Sequence, residues 1–311
     1  MSSATVPSKK MEYVCLGNSD LKISKIVLGC MSYEDPLWLG TWVLPEEASK
    51  HIKAVYDAGI NIFDTANVYS NGLSEEILGR VIKQHALPKS SSSPREQAML
   101  GISDDAAGFV NQCGLSRKHI DSVKHSLRHL QLDYIDVLQC HRLDPDTPIE
   151  ETMQALHDVV QTGYVRYLGM SSCYAWQYYA INKKLTPFLS MQNHYNMLYR
   201  EEEGEMMPTL KHFGVGAIPW LPLVRGGLTR PLVNQKQTKR GGSDLPRPTR
   251  LSSKGKQSAC RLPVEEIAKK RGISMAQVSV AWVLSKEGVS APIVGTTSLA
   301  NLADIIGKPT N

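Results

Sequence analysis

Short β-branched segments alternate with amphipathic helical segments along most of this chain, and this alternation constrains the fold more than any other feature. The pattern predicts βαβ units around a parallel sheet. After a hairpin over residues 13–23, we predict strands at 25–30, 61–65, 134–139, 165–171, 188–192, 216–220 and 292–295. We predict helices at 45–59, 74–84, 116–130, 149–163, 175–185, 206–213, 264–271 and 275–285, with a short one from Leu299.

Two segments interrupt the alternation. Residues 87–113 contain a serine run and little apolar periodicity, so only residues 97–102 are predicted as a strand there. Residues 232–261 are rich in Gly, Ser, Pro and Lys, which predicts a flexible surface insertion.

The number of predicted strands decides between two α/β architectures. With residues 97–102 the strands number eight, and no G-x-G-x-x-G motif follows the early ones. This favours a (β/α)₈ TIM barrel over an open doubly wound sheet. We therefore predict a single barrel domain over residues 1–311, with a defective third strand and with its chemistry at the carboxyl ends of the strands.

The composition argues against several classes of protein. The formal net charge is +5, with Lys and Arg spread along the helices, so nucleic acid is not an expected partner. No segment approaches the roughly 20 apolar residues that cross a bilayer, and the N-terminus has no apolar signal core. The six cysteines lie far apart without a C-x-x-C pair, so we predict no metal site, no disulfide framework and a cytoplasmic location.

Polar side chains follow the predicted strands, at the edge where chemistry is expected. Alone, each has a structural interpretation: Asp64 as a turn cap, Tyr69 as a packing residue, and His141 as a hydrogen-bonded core histidine. Their convergence on one edge favours a catalytic site. The full set is Asp64, Tyr69, His141, Ser171, Ser172, Gln192, Asn193 and the segment 219–227.

Around these residues the chain resembles the aldo-keto reductase family. FDTANVY at 63–69, followed by Gly72, Glu75 and Gly79, is similar to the family signature around its catalytic Asp and Tyr. Further similar segments are LQCHR at 138–142, GYVRYLGMSS at 163–172, MQNHYN at 191–196, PWLPL at 219–223 and GTTS at 295–298. GCMSY at 29–33 and PLW at 36–38 resemble fungal members of secondary metabolism.

The resemblance implies an NADPH-dependent oxidoreductase that reduces an aldehyde or ketone to an alcohol. Tyr69 would protonate the carbonyl oxygen, His141 would orient it, and Asp64 would complete the catalytic group. The implied NADP(H)-binding residues are Asp64, Ser171, Ser172, Gln192, Leu221, Leu223, Arg225, Gly226, Gly295, Thr297, Asn301 and Asp304. The implied partner is a small-molecule carbonyl compound.

One departure from the family pattern bears on activity. The resemblance implies a lysine about 25 to 35 residues after Tyr69, where its charge lowers the pKa of the tyrosine. No lysine lies there, and the cations of the segment 90–117 are Arg95 and Arg117. Because Arg95 precedes the predicted strand at 97–102, we expect it toward the wrong end of the barrel.

Three hypotheses therefore stand side by side. Retention of Asp64, Tyr69 and His141 favours an active reductase, whereas loss of the lysine favours a catalytically weak or inactive NADP-binding protein. A product whose barrel does not close is the third, because loss of a strand exposes sheet edges. The chain ends soon after Gly307, so a shortened C-terminus is also expected.

Overall fold

The computed structural model describes residues 11–33, 43, 45–85, 92–96, 118–141, 147–171, 180–231 and 254–307, with the backbone alone at 92–96, 118–120 and 254–261. Its strands are β1 Tyr13–Cys15, β2 Lys22–Ser24, β3 Val27–Gly29, β4 Phe63–Ala66, β5 Ser92–Glu96, β6 Ile135–Cys140, β7 Val165–Met170, β8 Phe188–Met191, β9 Gly216–Ala217 and β10 Ile293–Val294. Its helices are α1 Pro45–Asp57, α2 Leu73–Gln84, α3 Lys118–Leu130, α4 Ile149–Gln161, α5 Met206–Phe213, α6 Lys254–Arg271, α7 Met275–Leu284 and α8 Leu299–Ile305.

One parallel sheet carries the strands from β3 to β10, and the α/β class is confirmed. Their order is β10-β3-β4-β5-β6-β7-β8-β9, and every neighbouring pair is parallel. β1 and β2 form the predicted antiparallel hairpin outside it. Hydrogen bonds also join the two ends of this order, because the N–H of Ile293 donates to the carbonyl of Pro219 and that of Ser290 to the carbonyl of Ala217, both at 2.8 Å.

The third parallel strand lies earlier in the chain than predicted. β5 occupies Ser92–Glu96, whereas residues 97–102 lie outside the described residues. Its serines have little preference for strands, but β4 and β6 offer hydrogen-bonding partners on both sides, and strand preference depends strongly on such context. Arg95 pairs with Ala66 of β4 and Gln139 of β6. It therefore lies at the carboxyl end of its strand, and the expectation that it lies toward the wrong end is wrong.

The apolar faces of the helices cover the sheet. In α2 the buried residues Ile77, Leu78, Val81 and Ile82 recur at helical spacing and join the main hydrophobic core. Helix α3 packs closely on α2 at Gly79, where an added Cβ would lie 2.3 Å from the carbonyl oxygen of Leu130. This packing holds α2, which is separated from the end of β4 by six residues, against α3.

The second interrupted segment also differs from its prediction. Helix α6 begins at Lys254, so residues 254–261 of the predicted flexible insertion are helical. Lys, Gln, Ala, Arg and Leu are good helix formers, and here they outweigh one glycine and Pro263. Residues 232–253 and the first five residues of the helix predicted at 175–185 lie outside the described residues, and residues 180–182 of that helix are helical. Among the described residues, no helix is long and apolar enough to cross a membrane.

Candidate active site

Asp64 and Gln192 meet across the sheet. Asp64 lies in β4 with 3% of its surface exposed, and the Nε2 of Gln192 donates to its Oδ1 at 2.9 Å. Because a carboxylate only accepts hydrogen bonds, the atom of Gln192 that faces it must be the amide nitrogen. The Oε1 of Gln192 is then turned away from Asp64, and it is buried without a hydrogen-bond partner in the described part of the chain. A buried acceptor of this kind suits a ligand that brings an N–H donor.

Ser171 ties a third strand end to this pair. Its Oγ donates to the backbone carbonyl of Gln192, and the N–H of Gln192 donates to the carbonyl of Met170 at 2.7 Å. The ends of β4, β7 and β8 are thus linked through hydrogen bonds. The structure therefore brings together Asp64, Ser171 and Gln192, whereas Ser172 lies outside the described residues.

Cys30, a neighbour of Asp64, has a thiol whose pKa depends partly on the charge of that carboxylate. The backbone N–H of Cys30 donates to the carbonyl of Asp64 at 2.8 Å. Burial first, and the negative charge of Asp64 second, raise the pKa of the Cys30 thiol well above its ordinary value. The thiol therefore stays protonated and adds no second negative charge beside the carboxylate.

Tyr69 begins a strained turn directly after β4. The turn is a 3₁₀ segment, Tyr69–Gly72, in which Ser70 has φ 47°, Asn71 has φ 51° and Gly72 has φ 93°. Left-handed backbone costs an L-residue about 1–2 kcal/mol, and such strain persists where surrounding contacts enforce it. Tyr69 itself is buried. The turn therefore holds the phenol at the carboxyl end of β4, a few residues beyond Asp64.

Side chains on both flanks of this turn tie it to the rest of the molecule. Before it, the Nδ2 of Asn67 donates to the Oγ of Ser122 in α3 at 3.2 Å. After it, the buried Oγ of Ser74 donates to the carbonyl of Cys30 at 2.9 Å and lies 2.9 Å from the Oγ1 of Thr65. The sequence does not reveal these ties, because each joins residues that are distant along the chain or ordinary in type.

His141 follows β6 directly and is half-buried. Two residues earlier, the Nε2 of buried Gln139 donates to the Oγ of Ser190 at 2.6 Å, which fixes the end of β6 against β8. The carboxyl ends of parallel strands lie at one edge of a sheet. The structure therefore places His141 at the same edge as Tyr69 and Gln192.

The aromatic residue after β9 is one that the sequence prediction did not single out. The ring of Trp220 stacks on His194 with centroids 4.5 Å apart, and His194 stacks on Tyr199 at 4.3 Å. His194 and Trp220 also form a parallel β-bridge beyond the ends of β8 and β9. Trp220 is thus a braced, half-buried aromatic at the same edge. Its position as the last residue of the strand predicted at 216–220, inside the predicted site segment 219–227, is the signal that could have identified it.

The loop after Trp220 contains four of the predicted cofactor residues, Leu221, Leu223, Arg225 and Gly226. Leu221, Val224 and Arg225 have φ of 63°, 51° and 53°, and Gly226 has φ 86°. Turns that combine left-handed and right-handed residues orient successive N–H groups into anion-binding concavities. The guanidinium of Arg225 is exposed. In this loop, however, the N–H groups of Val224, Gly226 and Gly227 donate to carbonyls of the loop itself, so the feature that suits an anion is the exposed cation of Arg225.

The remaining predicted residues lie after β10. Gly295 lies beside β3, where an added Cβ would be 3.0 Å from the carbonyl oxygen of Gly29. Thr297, Asn301 and Asp304 follow at the start and along one turn of α8. The backbone N–H of Asn301 already donates to the Oγ of Ser298 at 3.4 Å. The structure groups these four residues, and their role as cofactor contacts stays a prediction.

The described residues hold no group of three or more His, Cys, Asp or Glu side chains that could bind a metal ion. Cys15, Cys30 and Cys140 form no disulfide within the described part of the chain, Cys260 is described by its backbone alone, and Cys113 and Cys173 lie outside the described residues.

Comparison with known proteins gives a consistent result. The profile of the Aldo/keto reductase family matches residues 25–309. Versiconal hemiacetal acetate reductase of Aspergillus parasiticus is 44% identical, over 96% of this chain and 92% of that protein. An aldo-keto reductase of Alternaria alternata is 42% identical, over 97% of this chain and 88% of that protein. One of Metarhizium robertsii is 39% identical, over 97% and 88%.

Proposed function

The chain belongs to the aldo/keto reductase family, whose members are (β/α)₈ barrels that generally use NAD(P)H, and we propose that it is an NADPH-dependent reductase of aldehydes or ketones. The observation that carries the proposal is the buried Asp64–Gln192 pair, with Tyr69 directly beyond it. The fungal relatives favour an aromatic or polyketide-like carbonyl compound as substrate.

The residues present fit a nicotinamide cofactor. The orphan Oε1 of Gln192 is an acceptor for a carboxamide N–H, and the ring of Trp220 offers a flat surface on which a heteroaromatic ring can stack. The loop Leu221–Gly227, with Arg225, suits a pyrophosphate. When bound, the cofactor supplies the hydride. The chain's own residues bind it, orient the carbonyl compound and move the proton.

Tyr69 and His141 divide the work on the carbonyl oxygen. A hydroxyl donor is needed there as negative charge develops on the oxygen, and Tyr69 has an O–H to give. His141, at the end of β6, donates a second hydrogen bond that orients the carbonyl and stabilises the developing charge. Because a phenol ordinarily titrates near pH 10, Tyr69 needs a nearby positive charge to act as an acid at neutral pH.

We infer that Arg95 provides this charge in place of the missing lysine. Paired residues on neighbouring parallel strands share a face of the sheet, and position 95 is in register with Ala66 and Gln139. Ala66 lies two residues after Asp64, so positions 64, 66 and 95 share that face.

The proposal includes a closed barrel. The hydrogen bonds between the segments 288–293 and 217–219, in which each segment donates to the other, join β10 to β9, the two outer strands of the order. Closure through these bonds removes the exposed sheet edges that a deleted strand would leave. β5 completes the ring at the third position, so the protein folds as its relatives do despite its serine-rich third strand.

The alternative is a protein that binds NADPH but turns over slowly, and the absent lysine favours it. Losing the charge beside the acid would raise the activation free energy by about 2 to 4 kcal/mol, which slows the reaction roughly a hundredfold or more. The two proposals differ only in whether Arg95 replaces that charge.

A binding and turnover experiment on three variants separates them. We would titrate NADPH and NADH by tryptophan fluorescence, then follow the absorbance of the reduced cofactor with 4-nitrobenzaldehyde. We expect NADPH to bind more tightly than NADH and to support steady turnover. Arg95→Lys should keep kcat within about tenfold, and Arg95→Met should lower it about a hundredfold at unchanged cofactor affinity. Exposed Arg80 of α2 gives the control Arg80→Met, which should leave kcat unchanged.

Each contrary result has a distinct meaning. Binding without turnover across several aromatic aldehydes supports the weak-enzyme alternative. An unchanged kcat in Arg95→Met shows that Arg95 is not the cation. Equal affinity for NADH and NADPH contradicts the proposed preference, and absence of binding contradicts the closed barrel.

A further inference from the structure

A histidine of α3 reaches a fully buried carboxylate at the start of α2. Glu75 has 0% of its side chain exposed, and its Oε2 lies 2.8 Å from the Nδ1 of His129, whose side chain is 32% exposed. The other oxygen of Glu75 is buried and has no hydrogen-bond partner in the described residues. A buried carboxylate of this kind depends strongly on its one partner, because removal of the partner leaves an uncompensated charge.

The same histidine ring supports the turn that carries Tyr69. A Cβ added to Gly72, the last residue of the turn, would lie 2.6 Å from the Cε1 of His129 and 2.7 Å from its Nδ1. The ring therefore packs directly on the backbone of Gly72. Ser70 and Asn71, which precede Gly72, hold the strained left-handed conformation. The imidazole thus contacts the residue where the strained segment ends and bonds the carboxylate of the helix that follows.

The charges around His129 favour its protonated form. The hydrogen bond with Glu75 is the largest influence and raises the pKa of His129, burial opposes it, and the charges of Glu75 and Glu76 from α2 add to the rise. Arg128, on its own helix, acts in the opposite direction. The turn Tyr69–Gly72, whose Gly72 packs against the ring of His129, contains one ionisable side chain, the phenol of Tyr69, and no charged one.

We propose that His129 and Glu75 form a charged positioning pair that holds the Tyr69 turn in its strained conformation, so that turnover depends on the protonation of His129. The dependence of turnover rests on the proposed reductase function, whereas the support of the turn does not. His129 is a positioning residue, since it acts through the backbone of Gly72 and through Glu75. Deprotonation leaves Glu75 without its counter-charge and loosens the turn.

Two measurements on the full-length protein test the pair, one of them independent of catalysis. The first is hydrogen exchange of the amides of residues 67–73, and the second is the pH dependence of kcat with 4-nitrobenzaldehyde between about pH 6 and pH 9. The variants are His129→Gln, Glu75→Gln and the double variant. The control is His125→Gln, because His125 is exposed on the same helix, one turn away.

The expected results differ for the two measurements. His129→Gln should speed exchange in residues 67–73 and lower kcat about tenfold near pH 6.5, with KM and cofactor affinity unchanged. The wild-type kcat should fall as pH rises through the pKa of His129, and that inflection should be missing in His129→Gln. The double variant should be no slower than either single variant, because the two side chains act as a unit.

Contrary results are equally specific. Unchanged exchange in His129→Gln, or an inflection of kcat that survives it, overturns the proposal. If His129→Gln speeds hydrogen exchange in residues 67–73 but the wild type shows no turnover, the positioning pair is supported and the proposed function is contradicted. If His129→Gln is too unstable to purify, Glu75→Gln keeps the test, because it removes the charge and preserves the shape.

Discussion

Two segments of the molecule adopt left-handed backbone, and they are supported in different ways. The Tyr69 turn is supported by side chains of α2 and α3, through Glu75, His129 and the bond from Asn67 to Ser122. The loop Leu221–Gly227 is held mainly by its own backbone hydrogen bonds, including those from Val224 to Leu221 and from Gly226 to Leu223. Under the proposed function, the turn that carries the reacting group is therefore held by other elements, whereas the proposed cofactor loop is held mainly by its own backbone.

The largest expected effect separates chemistry from binding. Tyr69→Phe removes the proposed proton donor and should lower kcat by roughly 10²- to 10⁴-fold at unchanged affinity for NADPH. Arg225→Met removes the cation of the loop and should weaken NADPH about tenfold with little change in kcat. Stopped-flow turnover and fluorescence titration measure the two quantities. A loss of kcat in Arg225→Met as large as in Tyr69→Phe would show that the two segments do not divide these roles.

A matched pair of glycine substitutions compares the rigidity of the two segments. Gly72→Ala adds a Cβ at φ 93° against the ring of His129, and it should cost about 2–3 kcal/mol of unfolding free energy. Gly226→Ala adds one at φ 86°, where the nearest atom lies 3.7 Å away, and should cost about 1 kcal/mol. Urea unfolding measures both. Equal costs would mean that the ring of His129 yields readily and that the turn is not rigidly supported.

The smallest expected effect is a pH dependence of thermal stability that arises from His129, beside the Tyr69 turn. The folded-state pKa of His129 is raised above that of the unfolded chain, so its contribution to stability is full below about pH 6.5 and is lost as pH rises through the folded pKa. Thermal unfolding between about pH 6 and pH 9 should show a fall in Tm that His129→Gln flattens. Arg225→Met should leave this pH dependence as it is in the wild type, since no such pair lies in its loop among the described residues.

The sequence predicts the strands of this fold well where their residue types agree with the final structure. β6 and β7 are runs of apolar and β-branched residues, and the predicted strands at 134–139 and 165–171 cover nearly all of them. β5 could not be located in this way, because Ser92–Glu96 contains a proline and serines and forms a strand through its neighbours. The same lack of local signal hid the register that places Arg95 at the carboxyl end.

The site was predictable as a set of residues and unpredictable as a set of contacts. Asp64, Tyr69 and Gln192 follow strands, and topology alone brings such positions to one edge. The hydrogen bond from Gln192 to Asp64, and that between His129 and Glu75, join side chains from different elements. The geometry of the first depends on the register of β4 and β8 in the sheet, and that of the second on how α3 packs on α2 at Gly79, and no local pattern encodes either.

The bond between Asp64 and Gln192 spans 128 positions of the chain. During synthesis, Asp64 leaves the ribosome long before its partner has been translated, and contacts of such high separation form late in folding. Under the proposed function, a nascent or truncated chain that lacks Gln192 has no complete nicotinamide pocket to offer. NADPH, if it is the cofactor as proposed, would then stabilise only chains that have finished folding.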